Sequence, residues 1–404
     1  MKKNFKFAAV VLCAAATFAS CSKEDVNKTI PAESIFMNES LKMTYSSEDV
    51  LGKTVKFTLN PDKTTAQVEI SGSGFELNKE ILPTSALFGV DKVLFDVKLE
   101  ATGKGFVFNG NTEVNGFKVE YTGEIVENQM ILDLKANTEN SLVGTYNLNT
   151  SLPLTIVWNG VKGNEGVDKD GNVAVDVPIF TEPYALKNLI VMAVGVMPLV
   201  PDPTVVPEEG KEPVKVSVVD ALTKVFDNVQ FHADGNVTVT SKLNGKSTPM
   251  NIATYAYVKE NTFKLFLNPF VINSNFPKSS ATKAGEPEGL DVVLANLKNH
   301  LYSKLVDGIT LTCGKAVDND GNSTDALAIC ISEIELAPIF QIVKPLFENE
   351  AAREIIKTMI ANMVPKEDPM AGMINMILPA IIDNIPAIIK NTTEVKIGIN
   401  VIAK

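Results

Sequence analysis

ITLTCGKAVDNDGNSTDALAICISEIE, residues 309–335, decides the class of the fold. Two β-type runs, Ile309–Lys315 and Leu327–Glu335, flank Asp318-Asn319-Asp320-Gly321-Asn322-Ser323, where Asp and Asn tolerate turn dihedrals and Gly accepts positive φ. The stretch reads as a β-hairpin. Just before it, Leu290, Val293, Leu294, Leu297, Leu301 and Leu305 recur at helical spacing over Leu290–Val306. Beyond it, Ile339–Phe347, Ala351–Val364 and Pro369–Lys390 read as helices, and Thr393–Ile402 alternates as a final strand. Hairpins and helices grouped in this way indicate an α+β fold.

A turn centred on Gly321-Asn322 sets Cys313 opposite Cys330. Facing Cα atoms lie about 4.5–5.5 Å apart, within the span of a disulfide. The spacing allows a cross-strand bridge; the alternative is two small buried thiols.

Upstream, the second half opens with a helix capped by Ser217, with Val218, Ala221, Leu222, Val225 and Phe226 at helical spacing. β-type runs follow at Val229–Ala233, Val237–Leu243, Ile252–Val258 and Phe263–Phe266. From Leu41 to about residue 180 the chain is β-rich and reads as an antiparallel sheet, with runs at Val55–Leu59, Thr65–Ile70, Val93–Glu100, Gly105–Phe108, Phe117–Tyr121, Met130–Leu134 and Leu154–Trp158. The layout is then a leader (1–20), a tether (21–40), a β-rich region (41–180), a helix and Pro-rich linker (181–215) and an α+β region (216–404). A second loop, without periodicity, covers 275–289. Val55–Ser71 recurs faintly as Val229–Ser241, and Tyr121–Leu134 as Tyr255–Leu267. Asp-Gly-Asn occurs three times, at 170, 234 and 320, which shared hairpin chemistry explains.

The leader has Lys2, Lys3 and Lys6, an apolar run Phe7–Phe18, then Ala19 and Ser20 before Cys21. That is the plan of a secretory signal, and its apolar run is shorter than the roughly 20 residues a spanning helix needs. Phe18-Ala19-Ser20-Cys21 resembles the lipobox of bacterial lipoproteins, which implies cleavage before Cys21 and acylation of its thiol, with several chains for durable attachment. Ser22-Lys23-Glu24-Asp25 resembles the export signal that directs Bacteroidota lipoproteins to the outward face of the outer membrane.

Removing residues 1–20 takes three lysines and moves the formal charge from −11 to −14. That sign argues against nucleic acid or anionic lipid as partner. The chain of 404 residues has a single arginine, Arg353, and two histidines, His232 and His300. Arginine forks for phosphate and histidine for acid–base or metal chemistry are therefore scarce. One tryptophan, Trp158, and seven tyrosines give glycan stacking little support.

Asp318 to Asn322 crowds oxygen ligands, yet glycine stands fourth where a calcium loop has it sixth, and the twelfth position is Ile329. It reads as a turn without metal, as does Asp168-Lys169-Asp170, and no cofactor is called for. His232 and His300 have no ligand partner at a metal spacing. Neither Gly-x-Ser-x-Gly nor His-Glu-x-x-His occurs. The helices after Ile339 are rich in Ile and Met. Met373, Ile377, Ile381, Ile385 and Ile389 either form a core helix or line an apolar groove for a greasy ligand. Pro379 and Pro386 are expected to kink or break this segment and argue against a membrane span.

FDNVQFHADGNVTVT (226–240), KLFLNPFVI (264–272) and VKIGINVI (395–402), together with the lipobox and Ser-Lys-Glu-Asp, are similar to an uncharacterised family of Bacteroidota lipoproteins, a domain of unknown function. The resemblance covers most of the mature chain and implies an outer-membrane address without a chemistry. A long helix enclosed by sheet loosely resembles tubular lipid-binding folds. The expected function is a non-enzymatic outer-membrane or cell-surface lipoprotein, held by its lipid and binding an apolar ligand or an envelope protein. A structural or adhesin-like role is the alternative, and a hydrolase with an acidic pair the third.

Overall fold

The computed structural model describes residues 32–77, 80–206, 211, 213–272, 290–318, 321–363 and 371–404. Cys21, the export residues Ser22 to Asp25, the whole leader and the 275–289 loop lie outside them. The fold is α+β, and the chain divides into two compact units.

The first unit is Met1–Asn140 with Ala233–Gly235 and Asn268–Val271. Its strands are β1 (Glu33–Met37), β2 (Leu41–Tyr45), β3 (Lys53–Leu59), β4 (Thr65–Gly72), β5 (Lys92–Lys98), β6 (Gly105–Val114), β7 (Phe117–Val126) and β8 (Gln129–Asn137). One sheet runs β1-β3-β4-β5; the other carries β2-β8-β7-β6 with two short outer strands. Strict alternation makes them: Val93, Phe95 and Val97 are buried while Lys92, Leu94, Asp96 and Lys98 face out. Asn115-Gly116, both at positive φ, supply the tight turn between β6 and β7. Phe95 of β5 stacks on Tyr121 of β7 with ring centroids 4.1 Å apart, so the two sheets share one core.

Two expectations change here. Residues 33–40, read as tether, form β1, paired with β3, and a short 3-10 turn. Ile35 and Phe36 give that segment a strand pattern that the polar residues around it hide. The sheet is also not wholly antiparallel, because β2 lies parallel to β8.

The second unit is Ser141–His232, Asn236–Leu267 and Ile272–Lys404. In order it has β9 (Gly144–Leu148), β10 (Leu154–Gly160), α1 (Leu186–Val196), α2 (Val218–Val225), β11 (Phe226–Phe231), β12 (Val237–Ser241), β13 (Ala253–Lys259), β14 (Thr262–Leu267), α3 (Leu290–Asp307), β15 (Ile309–Val317), β16 (Ser323–Ser332), α4 (Glu333–Glu348), α5 (Glu350–Met363), α6 (Ala371–Asn391) and β17 (Thr392–Ala403). The sheet order is β12-β11-β9-β17-β16-β15-β14-β13, with β10 also pairing on β17. The boundary at Asn140 rather than near residue 180 follows from this pairing: β9 and β10, though early in sequence, are completed by the last strand.

The sheet curls. Its outermost strands approach at the bridge between Asn236 and Thr254, and Asn251 N–H donates to Asn236 Oδ1 at 2.7 Å. Tyr146, Phe231, Tyr255, Phe263, Cys313, Ile329 and Val401 meet in one core, to which strands all round the curl contribute. Near-closure leaves little unpaired strand edge.

A second core takes Trp158 and Val395 from the sheet and covers them with Leu186 and Leu189 of α1 and Ile377 and Ile388 of α6. Ser217 caps α2, its Oγ accepting from Asp220 N–H at 3.0 Å, as its sequence promised. β16 stops at Ser332, and Glu333 to Glu335 open α4 instead of extending the strand. α6 runs unbroken from Ala371 to Asn391 through Pro379 and Pro386. Each proline removes one helical N–H, and the buried apolar face holds the helix regardless. Among the described residues no helix is long and apolar enough to cross a membrane.

Candidate functional site

In the second unit a cleft of about 710 Å³ opens between β10, β15, β16 and β17. Its rims come from two five-residue turns of the same sequence, Asp-x-Asp-Gly-Asn, at 168–172 and 318–322. In the first, Asp168 Oδ1 accepts from the N–H groups of Asp170 (2.9 Å) and Asn172 (2.8 Å), and Gly171 N–H returns to Asp168 O at 3.0 Å. In the second, Asn322 N–H donates to Asp318 Oδ1 at 2.7 Å and Gly321 N–H to Asp318 O at 3.0 Å. Both glycines sit at positive φ, +92° and +86°, which side chains rarely adopt. The first aspartate of each turn is thus committed to its own backbone, which is why oxygen crowding here reads as a turn. Asn319 and Asp320 lie outside the described residues, among which no group of three or more His, Cys, Asp or Glu is arranged to hold a metal.

Across the cleft, Glu394 and Lys396 sit two apart on β17, hence on one face, and pair at 2.7 Å. Asn159 Nδ2 donates to the other carboxylate oxygen at 2.8 Å. Lys396 and Asn159 hold the Glu394 carboxyl below the usual range against the opposing effect of burial, and Glu394 in turn raises Lys396. Lys187, from the first turn of α1, and Lys315, from β15, also line the space. Sequence reasoning missed these residues. The alternation in Thr393–Ile402 already put Glu394 and Lys396 side by side, but nothing in it marks which face of the strand meets a cleft.

Both candidate cysteines border the cleft, and the disulfide between them is absent: Cys313 and Cys330 are free and buried. Cys330 pairs with Thr312, and Cys313 with Ile329. Val317 pairs with Ser323 and Lys315 with Leu327, a register set by a turn centred earlier than Gly321-Asn322, so Cys313 faces the neighbour of Cys330 and the two thiols lie on opposite faces of the sheet. Cys313 accordingly joins the aromatic core and Cys330 a cluster with Ala316, Ala326 and Ala328. Burial pushes the Cys330 thiol up to about 11 and raises Cys313 as well, so neither is an activated nucleophile.

The apolar positions on α6 sit in the second core. Ile377 is 1 % exposed, and Ile381 and Ile385 pack partly buried against it. Ile389 is half-buried, and the Met373 side chain lies outside the described residues. A groove of about 240 Å³ does occur, between α5 and α6, lined by Leu378, Pro379 and Ile382 with Lys357, Thr358 and Asn375 at its edge. It lies one residue, about a third of a turn, round the helix from the Ile377 stripe.

His232 is half-buried and hydrogen-bonds Thr238 Oγ1 at 2.9 Å, and His300 lies on α3. In the first unit Lys53 is desolvated, which lowers its ammonium to about 8, and it donates to Ser85 O at 2.7 Å. That bond ties a loop to β3. No carboxylate shares it among the described residues.

Comparison of the chain with protein-family models, with curated proteins and with solved structures returns no match.

Proposed function

We propose that the chain is a lipid-anchored, non-enzymatic binding protein of the outer membrane, and that the cleft between β10, β15, β16 and β17 holds its ligand. The observation that carries this reading is the cleft itself: about 710 Å³, within the range of small-molecule sites, with polar groups on every wall. A glycosidase-like reading needs a carboxyl with raised proton affinity. Glu394, the acid of the cleft facing Lys396, is held down instead. The second reading is an apolar ligand, favoured by the groove lined by Leu378 and Ile382.

Native mass spectrometry of the protein extracted from membranes tests the lipid and the ligand together. The expected mass is that of residues 21–404 with acyl chains on Cys21, plus a releasable small adduct. An unacylated chain sinks the anchor, and a lipid-sized adduct displaces the cleft in favour of the groove.

The outward address rests on Ser22-Lys23-Glu24-Asp25. Protease added to intact cells is expected to remove the folded body. A body fully protected until the outer membrane is breached would place it on the periplasmic side.

A further inference from the structure

We infer that Asn244 is a site of self-modification: the backbone nitrogen of Gly245 attacks its side-chain amide, ammonia is lost, and hydrolysis leaves aspartate or isoaspartate.

Asn-Gly occurs four times in the chain, at 109, 115, 159 and 244, and glycine, without a Cβ, offers the least hindered backbone nitrogen for such an attack. The fold treats the four differently. Asn109 and Gly110 are paired in the β6–β7 ladder, opposite Thr122 and Tyr121. Asn115-Gly116 is locked in the β6–β7 turn with both residues at positive φ, and Asn115 Nδ2 donates to Phe88 O at 2.9 Å. Asn159 Nδ2 donates to Glu394, and Gly160 N–H to Gly171 O at 2.9 Å. In these three the side-chain oxygen accepts no hydrogen bond among the described residues.

Asn244 stands in the loop after β12, where residues 242–249 are all exposed. Its Oδ1 accepts from Lys246 N–H at 2.9 Å. That donor faces the oxygen on which negative charge grows as the Gly245 nitrogen adds to Cγ, so it stabilises the addition more than the resting amide. A Cβ on Gly245 would meet nothing within 4 Å, so solvent base and water reach this nitrogen freely. The attack gives up the bond from Gly245 N–H to Ser241 O, at 2.9 Å, a small net cost in an exposed loop. Solvent base takes the Gly245 proton, the new N–Cγ bond closes a cyclic imide, and the Cγ–Nδ2 bond breaks to release ammonia. Water then opens either imide carbonyl. One opening leaves aspartate; the other leaves isoaspartate, whose main chain runs through the former side chain and is longer by a carbon.

The second outcome bears on the sheet, because the chain returning from this loop covers the outer edge of β12. Ser241 N–H donates to Lys246 O at 3.0 Å and Thr248 N–H to Val239 O at 2.9 Å. Thr240 faces Ser247, with their hydroxyl oxygens 2.8 Å apart. A longer main chain between Ser241 and Lys246 puts this return out of register and uncovers the edge, the part of a sheet on which another strand can pair.

The test is peptide mapping by mass spectrometry after incubation of the intact protein in mildly alkaline buffer, folded and in urea. In the folded protein Asn244 is expected to convert at least about tenfold faster than Asn109, Asn115 and Asn159, the scale of one hydrogen bond to a developing charge. In urea the four rates should converge. Lys246→Pro, which removes the N–H and keeps the carbonyl, should slow Asn244 about tenfold in the folded protein, whereas Lys246→Ala, which keeps both, leaves the rate unchanged. Asn244 converting no faster than the other three in the fold overturns the inference, and a ranking that persists in urea overturns its cause in the fold. An unchanged rate in Lys246→Pro overturns the part given to the Lys246 amide. If that variant fails to fold, the ranking of the four sites in the parent still decides. Hydrogen exchange at Thr248 N–H reads the consequence: it should quicken at least about tenfold in the isoaspartate form, and equal protection in both forms overturns the uncovered edge.

Discussion

Glu335→Ala is expected to destabilise the second unit by about 3–5 kcal/mol, the range for stripping one partner from a buried ion pair. Glu335 is 4 % exposed and stands in the first turn of α4. One carboxylate oxygen takes the backbone N–H of Thr310 at 2.8 Å, the other the Lys304 ammonium at 2.8 Å. It thereby ties the last turn of α3, the start of β15 and the start of α4 at one point. Alanine leaves the Thr310 N–H buried without an acceptor and Lys304 without its counter-charge. Glu335→Gln keeps an acceptor for Thr310 and loses only the charge, so its cost should fall to about 1.5–3 kcal/mol. Urea unfolding followed by the emission of Trp158, the sole tryptophan and a member of the second unit's core, reads both. Alanine within 0.5 kcal/mol of the parent would show that the pair is not buried in solution.

The same residue sets a pH signature. Burial pushes the Glu335 carboxyl up, but Lys304 and Thr310 together hold it below its ordinary value of 4.5. A carboxyl depressed in the fold contributes fully above its unfolded pKa, and the contribution drains away as pH falls through the folded one. The gap between parent and Glu335→Ala should therefore be complete at pH 7 and shrink below about pH 4. Asp202 adds a parallel loss: Lys224, with Thr204, holds it at about 2.

What could be read in advance follows the range of the interaction. Val93–Lys98 and Phe117–Val126 alternate because one face of each is buried, and alternation is a local property. Ser217 and the Asp-x-Asp-Gly-Asn turns were legible because capping and turn bonds close within five residues. The cysteine pairing failed on where the turn is centred: Val317 pairs with Ser323 and Cys313 with Ile329, and an offset of one residue puts Cys330 on the other face. The unit boundary at Asn140 was hidden because β9 is completed by β17, some 250 residues later. The cleft was least visible. Lys187, Asn159, Lys315 and Glu394 come from four separate segments and share no spacing in the chain.

The apolar stripe of α6 was legible as apolar and not as core or groove, and Ile377→Ala separates the two. In the fold Ile377 packs with Trp158, Leu189, Ile388 and Val395, and removing its side chain from such a site costs about 2–5 kcal/mol. The spread depends on how far the surroundings collapse into the space. Trp158 Nε1–H is held by Thr392 Oγ1 at 2.7 Å and its ring stacks on Phe340 at 5.7 Å, so the indole moves little. Most of the cavity should therefore persist, with a cost toward the upper half of the range and a shifted Trp158 emission. Met376→Ala, one position away and 43 % exposed, should change stability by less than about 0.5 kcal/mol. Were the stripe instead the wall of a ligand groove, Ile377→Ala would be as mild as Met376→Ala, and the native mass of the variant would lose a lipid-sized adduct that the parent carries.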